Sequence, residues 1–448
     1  MRVSSRPSAF FLAVFAVGVV ILGVTVWFQL VKTRPGASDD ALFSEAPPKL
    51  LQPTASQIDD IAEDTGAGHI APESDLDAIE GKAPDQLANA LLELNVTPGV
   101  VPGELLLRFR SPSDIADLRS RASALGIQVL WSDARLHSAR IAFSDAQKLA
   151  TELQSNREAY EETGPNYLMA IPGLPAEPEL HIDGGNAGGT VPFRESLLPS
   201  IGADGDRSLW GDGVSVAVLD SGIETHPSLA NVSISRIDLS SSSEIHGHGT
   251  AMASLIAGQQ PPAAGISPAA SLLDIRVTDE TGRTNTGLVA EAILQAADRR
   301  VDVINISLGS FGNSAVLQAA VDYALERNIV VVAAAGNEQM TSLAFPAAYR
   351  GVISVGAVDA ANTQAYFSNS GETLTIAAPG VGIYSAYNDD QLVMGSGTSQ
   401  AAAITSGVVA TLLSRGYRPS EIARVLQESA TQTGAPREQI GAGVIRIP

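Results

Sequence analysis

Six short, mainly apolar runs constrain this chain most: Val214–Leu219, Ser271–Val277, Val303–Ser307, Ile329–Ala334, Val352–Ala357 and Leu374–Ala377. A strand with one wet face alternates apolar and polar residues, whereas a continuously apolar strand has to be covered on both faces. Helical spacing lies between several of these runs. In Thr286–Arg300, for example, Leu288, Val289, Ala292, Ile293, Ala296 and Ala297 fall on one face. Buried strands separated by helices predict an α/β fold, a mostly parallel sheet with helices on both sides. Aromatic residues make up only 5% of the chain against 41 glycines, which suits close helix-on-sheet packing.

The 448 residues exceed one ordinary domain. Arg2 and Arg6 precede an uncharged apolar run from Ala9 to Leu30, closed by Lys32 and Arg34. At about 1.5 Å per residue that run spans a hydrocarbon core of about 30 Å. It is long for a cleavable signal and is followed by no clear small-x-small site. Residues 1–34 are therefore expected to form a transmembrane signal anchor, with Trp27 at an interface and the chain beyond on the extracytoplasmic side, periplasmic or extracellular. A cleaved signal peptide is the competing reading.

Residues 35–98 are rich in Pro, Ala, Asp and Glu. Thirteen acidic residues from Asp39 to Glu93 face only Lys49 and Lys82. This composition predicts a disordered, self-repelling tether, with an acidic docking site as the alternative. Residues 99–171 carry strands at Glu104–Arg110, Ile127–Trp131, Ser138–Phe143 and Tyr167–Ile171, and helices at Pro112–Leu125 and Asp145–Gln154. The order βαββαβ predicts a small α+β ferredoxin-like domain. A Gly/Pro-rich connection follows at 172–198, and the large α/β domain occupies 199–448.

A net charge of −21 excludes a nucleic-acid partner. The absence of cysteine excludes disulfides and thiol chemistry. A nucleotide-binding α/β protein fails for want of a Gly-rich loop at a strand–helix turn; Gly211-Asp212-Gly213 lies before a strand.

Four positions carry candidate chemistry. Asp220 follows the strand Val214–Leu219, where parallel sheets build their sites, although Asp-Ser-Gly is also an ordinary turn. His248 opens an apolar helix after Gly247; His246 lies two residues earlier, which is not the spacing of a helical zinc pair. Ser399, in Gly397-Thr398-Ser399, stands at a helix start where free N–H groups favour negative charge, although a lone serine there is usually a cap. Asn337 ends a buried strand with a side-chain amide suited to an oxyanion, although Gly-Asn is also a common turn.

Together these segments resemble the subtilisin-like serine proteases, the subtilases. VAVLDSGIETHPSL is similar to the family's Asp motif, HGHGTAMASLIAG to its His motif and GSGTSQAAAITSG to its Ser motif, in the family's order. The resemblance implies a serine endopeptidase acting on proteins or peptides, with Asp220, His248 and Ser399 catalytic, Asn337 as oxyanion donor, and no cofactor. It assigns substrate binding to Ser307, Leu308 and Gly309 in NISLGS, and to Ala335 and Gly336 in AAAGNE. A catalytically silent, membrane-tethered binding protein on the same fold is the alternative. VPGELLLRFR and GPNYLMAIPG resemble the family's propeptide domain. That likeness implies a self-processed, membrane-anchored zymogen, cut between about Ala170 and Phe193 and then released from its anchor. A structural spacer domain is the competing reading.

The chain also departs from the family pattern. Gln400 and Ala403 stand where many relatives have Met and Pro, and Ala251 replaces a second His. Ser228 stands where an Asp ligand of calcium is common, and Gly258–Ile266 is short, so that calcium site is expected to be missing and no metal is assigned.

Overall fold

The structure, a computed structural model, describes residues 83–172 and 190–448. The predicted anchor at 1–34, most of the acidic tract and residues 173–189 lie outside them. Among the described residues no helix is long and apolar enough to cross a membrane.

The apolar runs become strands β5 (Ser215–Asp220), β7 (Ser271–Arg276), β9 (Val303–Ile306), β10 (Val330–Ala334), β11 (Ile353–Val358) and β12 (Ile376–Pro379). With β6 (Ile234–Asp238) they form one seven-stranded sheet, ordered β12-β11-β10-β9-β5-β7-β6, in which every pairing is parallel. Alternation along a strand splits its side chains between two cores. Val216 and Val218 face one, Ala217 and Leu219 the other.

From its first strand on, the amino-terminal domain runs βαββαβ, with a further helix before it. Strands β1 (Val100–Phe109), β2 (Ile127–Asp133), β3 (Ser138–Phe143) and β4 (Tyr160–Ala170) pair antiparallel in the order β2-β3-β1-β4. Gly126, at φ 69°, ends the turn after the first helix, a conformation glycine adopts without strain.

Both linker boundaries are corrected. Within the tract expected to be disordered, Pro84–Leu94 forms helix α1. Its Leu87, Ala88 and Leu91 pack into the same core as Leu105, Leu107 and Phe109, together with α2 (Pro112–Arg121) and α3 (Ala146–Ser155). Only the polar face of α1 shares the tract's acidic composition, so composition hid it. At the other end, Phe193 is buried in the core of the large domain and its N–H donates to Val381 O (2.9 Å), while the Val191 N–H donates to Asp359 Oδ2 (3.0 Å). The large domain thus begins near residue 191 rather than 199.

Helix α4 (His248–Ala257) and helix α7 (Thr398–Ser414) pack on one face of the large sheet. Helices α5 (Thr286–Asp298) and α6 (Ala315–Glu326) cover the other. The small domain sits on α5 and α6, because the second face of its sheet contributes Leu106 and Met169 to their core. Asn166 fixes the contact. Its Oδ1 accepts from the Gly287 N–H (3.0 Å) and the Thr286 hydroxyl (3.1 Å) at the start of α5, and its Nδ2 donates to Glu104 Oε2 (2.7 Å).

Candidate active site

The sheet brings Asp220 and His248 together from its own geometry. Asp220 is the last residue of β5, and His248 the first of α4. Gly249 has no Cβ, and one placed there would collide with the Gly222 backbone, so helix and loop touch main chain to main chain. Ser221 ties the same two segments. It accepts from the Gly249 N–H (2.9 Å) and donates to His246 O. Both oxygens of Asp220 lie 2.9 Å from His248 Nδ1, and Asp220 Oδ1 also accepts from the Ser221 N–H at 2.7 Å. Nδ1 therefore carries the ring proton, which leaves Nε2 with the lone pair.

Behind Asp220 runs a ladder of charges. Arg236 donates to Asp274 Oδ2 (2.5 Å) and to Ile223 O, and Asp274 Oδ2 accepts from the Ile223 N–H (3.0 Å). Asp274 is fully buried, its Oδ1 has no partner, and burial pushes its carboxyl up to about 6 despite Arg236. Burial also lowers the pKa of His246, with the neighbouring His248 charge adding to the shift.

Ser399 is the second residue of α7, 3% exposed. Its hydroxyl donates to Ser307 O (3.1 Å), and the Ser307 hydroxyl donates back to Ser399 O (3.3 Å). Asn305 Nδ2 holds that second hydroxyl (3.0 Å) and Asn305 Oδ1 accepts from Ser406 (2.9 Å), locking β9 to α7. Asn337 leans on the same helix start. Its Oδ1 accepts from the Thr398 N–H (2.9 Å) and hydroxyl (2.8 Å), and this occupied acceptor turns the other end of the amide, Nδ2, toward Gly397. Gly336, at φ 107°, makes the bend that brings Asn337 there, and its N–H donates to the Thr398 hydroxyl oxygen (3.2 Å).

Of the substrate-binding positions, Leu308 is fully buried and Gly309 exchanges backbone hydrogen bonds with Ala170 of the small domain. Ala335 accepts from the Ala344 N–H (3.0 Å).

One residue escaped the sequence reading. Asn369 is fully buried and spends its whole amide on the segment that carries Asn337. Nδ2 donates to Ala335 O (3.1 Å) and Glu338 Oε2 (2.9 Å), while Oδ1 accepts from the N–H groups of Glu338 (3.0 Å) and Met340 (2.9 Å). Burial also raises the Glu338 pKa. The only available signal was an Asn in an ordinary Ser-Asn-Ser-Gly loop.

An Asp–His pair at the carboxyl end of a parallel sheet, with a serine at the start of a second helix, is the layout of a serine hydrolase. Residues 211–443 match the sequence profile of the Subtilase family. The thermostable alkaline protease of Halalkalibacterium halodurans is 37% identical over 254 residues, covering 55% of this chain and 70% of that protein. A thermophilic serine proteinase of a Bacillus species is 29% identical over 350 residues, 75% of this chain and 85% of its own length. Among solved structures, fervidolysin from Fervidobacterium pennivorans, a keratinolytic enzyme related to subtilisin, superposes with a TM-score of 0.65 at 23% identity, covering 78% of this chain and 60% of that one. The chain belongs to the subtilase family and is a subtilisin-like serine endopeptidase.

Proposed function

We propose that Ser399 is the nucleophile of this endopeptidase, with His248 as general base, Asp220 as the carboxylate that orients it and Asn337 as an oxyanion donor. The observation that carries the reading is the bond from both Asp220 oxygens to His248 Nδ1, which aims Nε2 away from the carboxylate. When the Ser399 hydroxyl turns from Ser307 to Nε2, its proton passes to the imidazole as Oγ attacks the scissile carbonyl. Asp220 stabilises the imidazolium, which then protonates the leaving amine. Asn337 Nδ2 and the Ser399 N–H at the α7 start face the developing oxyanion. Water repeats the sequence on the acyl-enzyme. A fluorophosphonate probe should label the wild-type protein at Ser399 and leave Ser399→Ala unlabelled; labelling of both would remove the assignment.

The family supplies the general reaction; the biology around it is part of the same proposal. Residues 83–172 act as a propeptide, which is supported by the bridge between Ala170, the last residue of β4, and Gly309. The apolar run Ala9–Leu30 anchors the zymogen in a membrane with the protease on the extracytoplasmic side, and self-cleavage between about Ala170 and Phe193 releases it. Membrane fractionation of wild type and Ser399→Ala tests both points. Release of a shortened wild-type protein, with the variant retained at full length, is the expected result. Identical sizes would remove self-processing, and recovery of the variant in the soluble fraction would remove the anchor.

A further inference from the structure

Strand β4 ends as the middle of three. Ala170 exchanges both backbone hydrogen bonds with Gly309, at 3.3 Å in each direction. The N–H of Ile171 turns the other way, to Gly282 O (2.9 Å), next to strand β8 (Arg283–Asn285), which pairs with residues Leu168 to Ala170. Bonded pairs in an antiparallel ladder recur every second residue on each strand. The observed pairing stops at Ala170 and Gly309; carried two residues further in the same register, residue 172 would fall opposite Ser307. Ser307 O is also the acceptor of the Ser399 hydroxyl (3.1 Å). A residue in that register would lie next to the strand that accepts the Ser399 hydroxyl. In this chain residue 172 is proline, which has no N–H to give to Ser307.

We propose that Pro172 turns the end of the small domain into a pseudosubstrate, seated at the position before the scissile bond yet unable to make the hydrogen bond that would fix it for cleavage. The proposal rests on the propeptide reading above and adds what limits its processing. Binding of the tail does not depend on the missing bond. Met169, 1% exposed, is held in the core formed with α5 and α6, and Ala170 is paired on one side with Gly309 and on the other with Arg283. Proline also favours the extended backbone that Ile171 needs. The cost falls on catalysis alone. Ser307 O stays with the Ser399 hydroxyl, which keeps that hydroxyl off His248, and the carbonyl of residue 172 is not pinned for attack.

The test uses the full chain as wild type, Pro172→Ala and Pro172→Gly, each also carrying Ser399→Ala. Both replacements restore the N–H. The bond after residue 172 is then attacked by Ser399 Oγ, its amine leaves with a proton from His248, and water hydrolyses the ester to leave a carboxylate on residue 172. Intact mass over time should show a fragment ending at residue 172, formed at least about tenfold faster in both variants than in wild type, as expected for one regained hydrogen bond. Equal rates in wild type and variants overturn the proposal, as does acceleration in only one of the two, or no cleavage in any. Should the fragment form equally with Ser399→Ala present, the self-processing reading itself fails, independently of Pro172.

Discussion

On the β5 side of the active site, Asp220 and His248 are already joined through both carboxylate oxygens, while on the α7 side Ser399 gives its hydroxyl to Ser307. The first half is set by main-chain contact between Gly249 and Gly222 and by the Ser221 bridge, none of which can relax without moving a helix. The second half turns on one side-chain torsion at Ser399 and on an amide, Asn337, positioned by Thr398 and Asn369. The contrast teaches that the proposed base is set by the fold while the proposed nucleophile is set locally. A ligand in the groove can act on the second without disturbing the first.

The largest expected effect comes from breaking the rigid half. Asp220→Asn should keep the fold but cost about 10⁴ in kcat, because the imidazole loses the carboxylate that fixes its tautomer. A loss under tenfold would show that His248 is held by its helix alone. Asn337→Ala probes the other half and should lower kcat by about 10²–10³ with little change in KM, since the donor acts on charge present only in the transition state. An equal rise in KM would instead place Asn337 in ground-state binding.

Asn369→Ala asks how far that half depends on support from behind. Its four hydrogen bonds set the Ala335–Met340 segment, so kcat should fall roughly tenfold at nearly constant KM, with Asn369→Asp, which keeps the two acceptor bonds, recovering part of the loss. A fall in melting temperature with kcat intact would make Asn369 a packing residue only.

The smallest effect concerns the ladder behind Asp220. Asp274 has a folded pKa of about 6, above its ordinary value, so the folded state binds its proton more tightly than the unfolded chain does. Its contribution is favourable to folding at low pH and is lost as pH rises from about 4 through 6, a swing on the order of 2–3 kcal/mol. Denaturation curves of wild type and Asp274→Asn across that range should converge at low pH and diverge above pH 6, with the variant relatively more stable there. Parallel curves would mean that Arg236 holds the carboxylate fully ionised.

Much of this contrast was legible in the sequence. The rigid half lies in two contiguous motifs, and the apolar runs fix the sheet that carries them. Ser399 and Asn337 were legible for the same reason. Asn369 was not, because its role arises only when a loop some thirty residues downstream folds back against Ala335. Helix α1 showed only as a short amphipathic stretch around Leu87–Leu94 within the acidic tract, and Phe193 was masked by the Gly/Pro-rich stretch before it. The bridge between Ala170 and Gly309, from which the proposed place of Pro172 follows, has no sequence signature at all.

The small domain's sheet has one face covered by its own helices and the other by helices of the protease, with Leu106 and Met169 placed in a core that belongs mostly to its neighbour. On the proposed self-processing, cutting the connection and losing the domain would expose that second face to water. A piece separated in that way would have lost part of its reason to stay folded, and docking again would carry the cost of refolding. On that proposal, the same shared face that holds the small domain in place would make its return costlier than its departure.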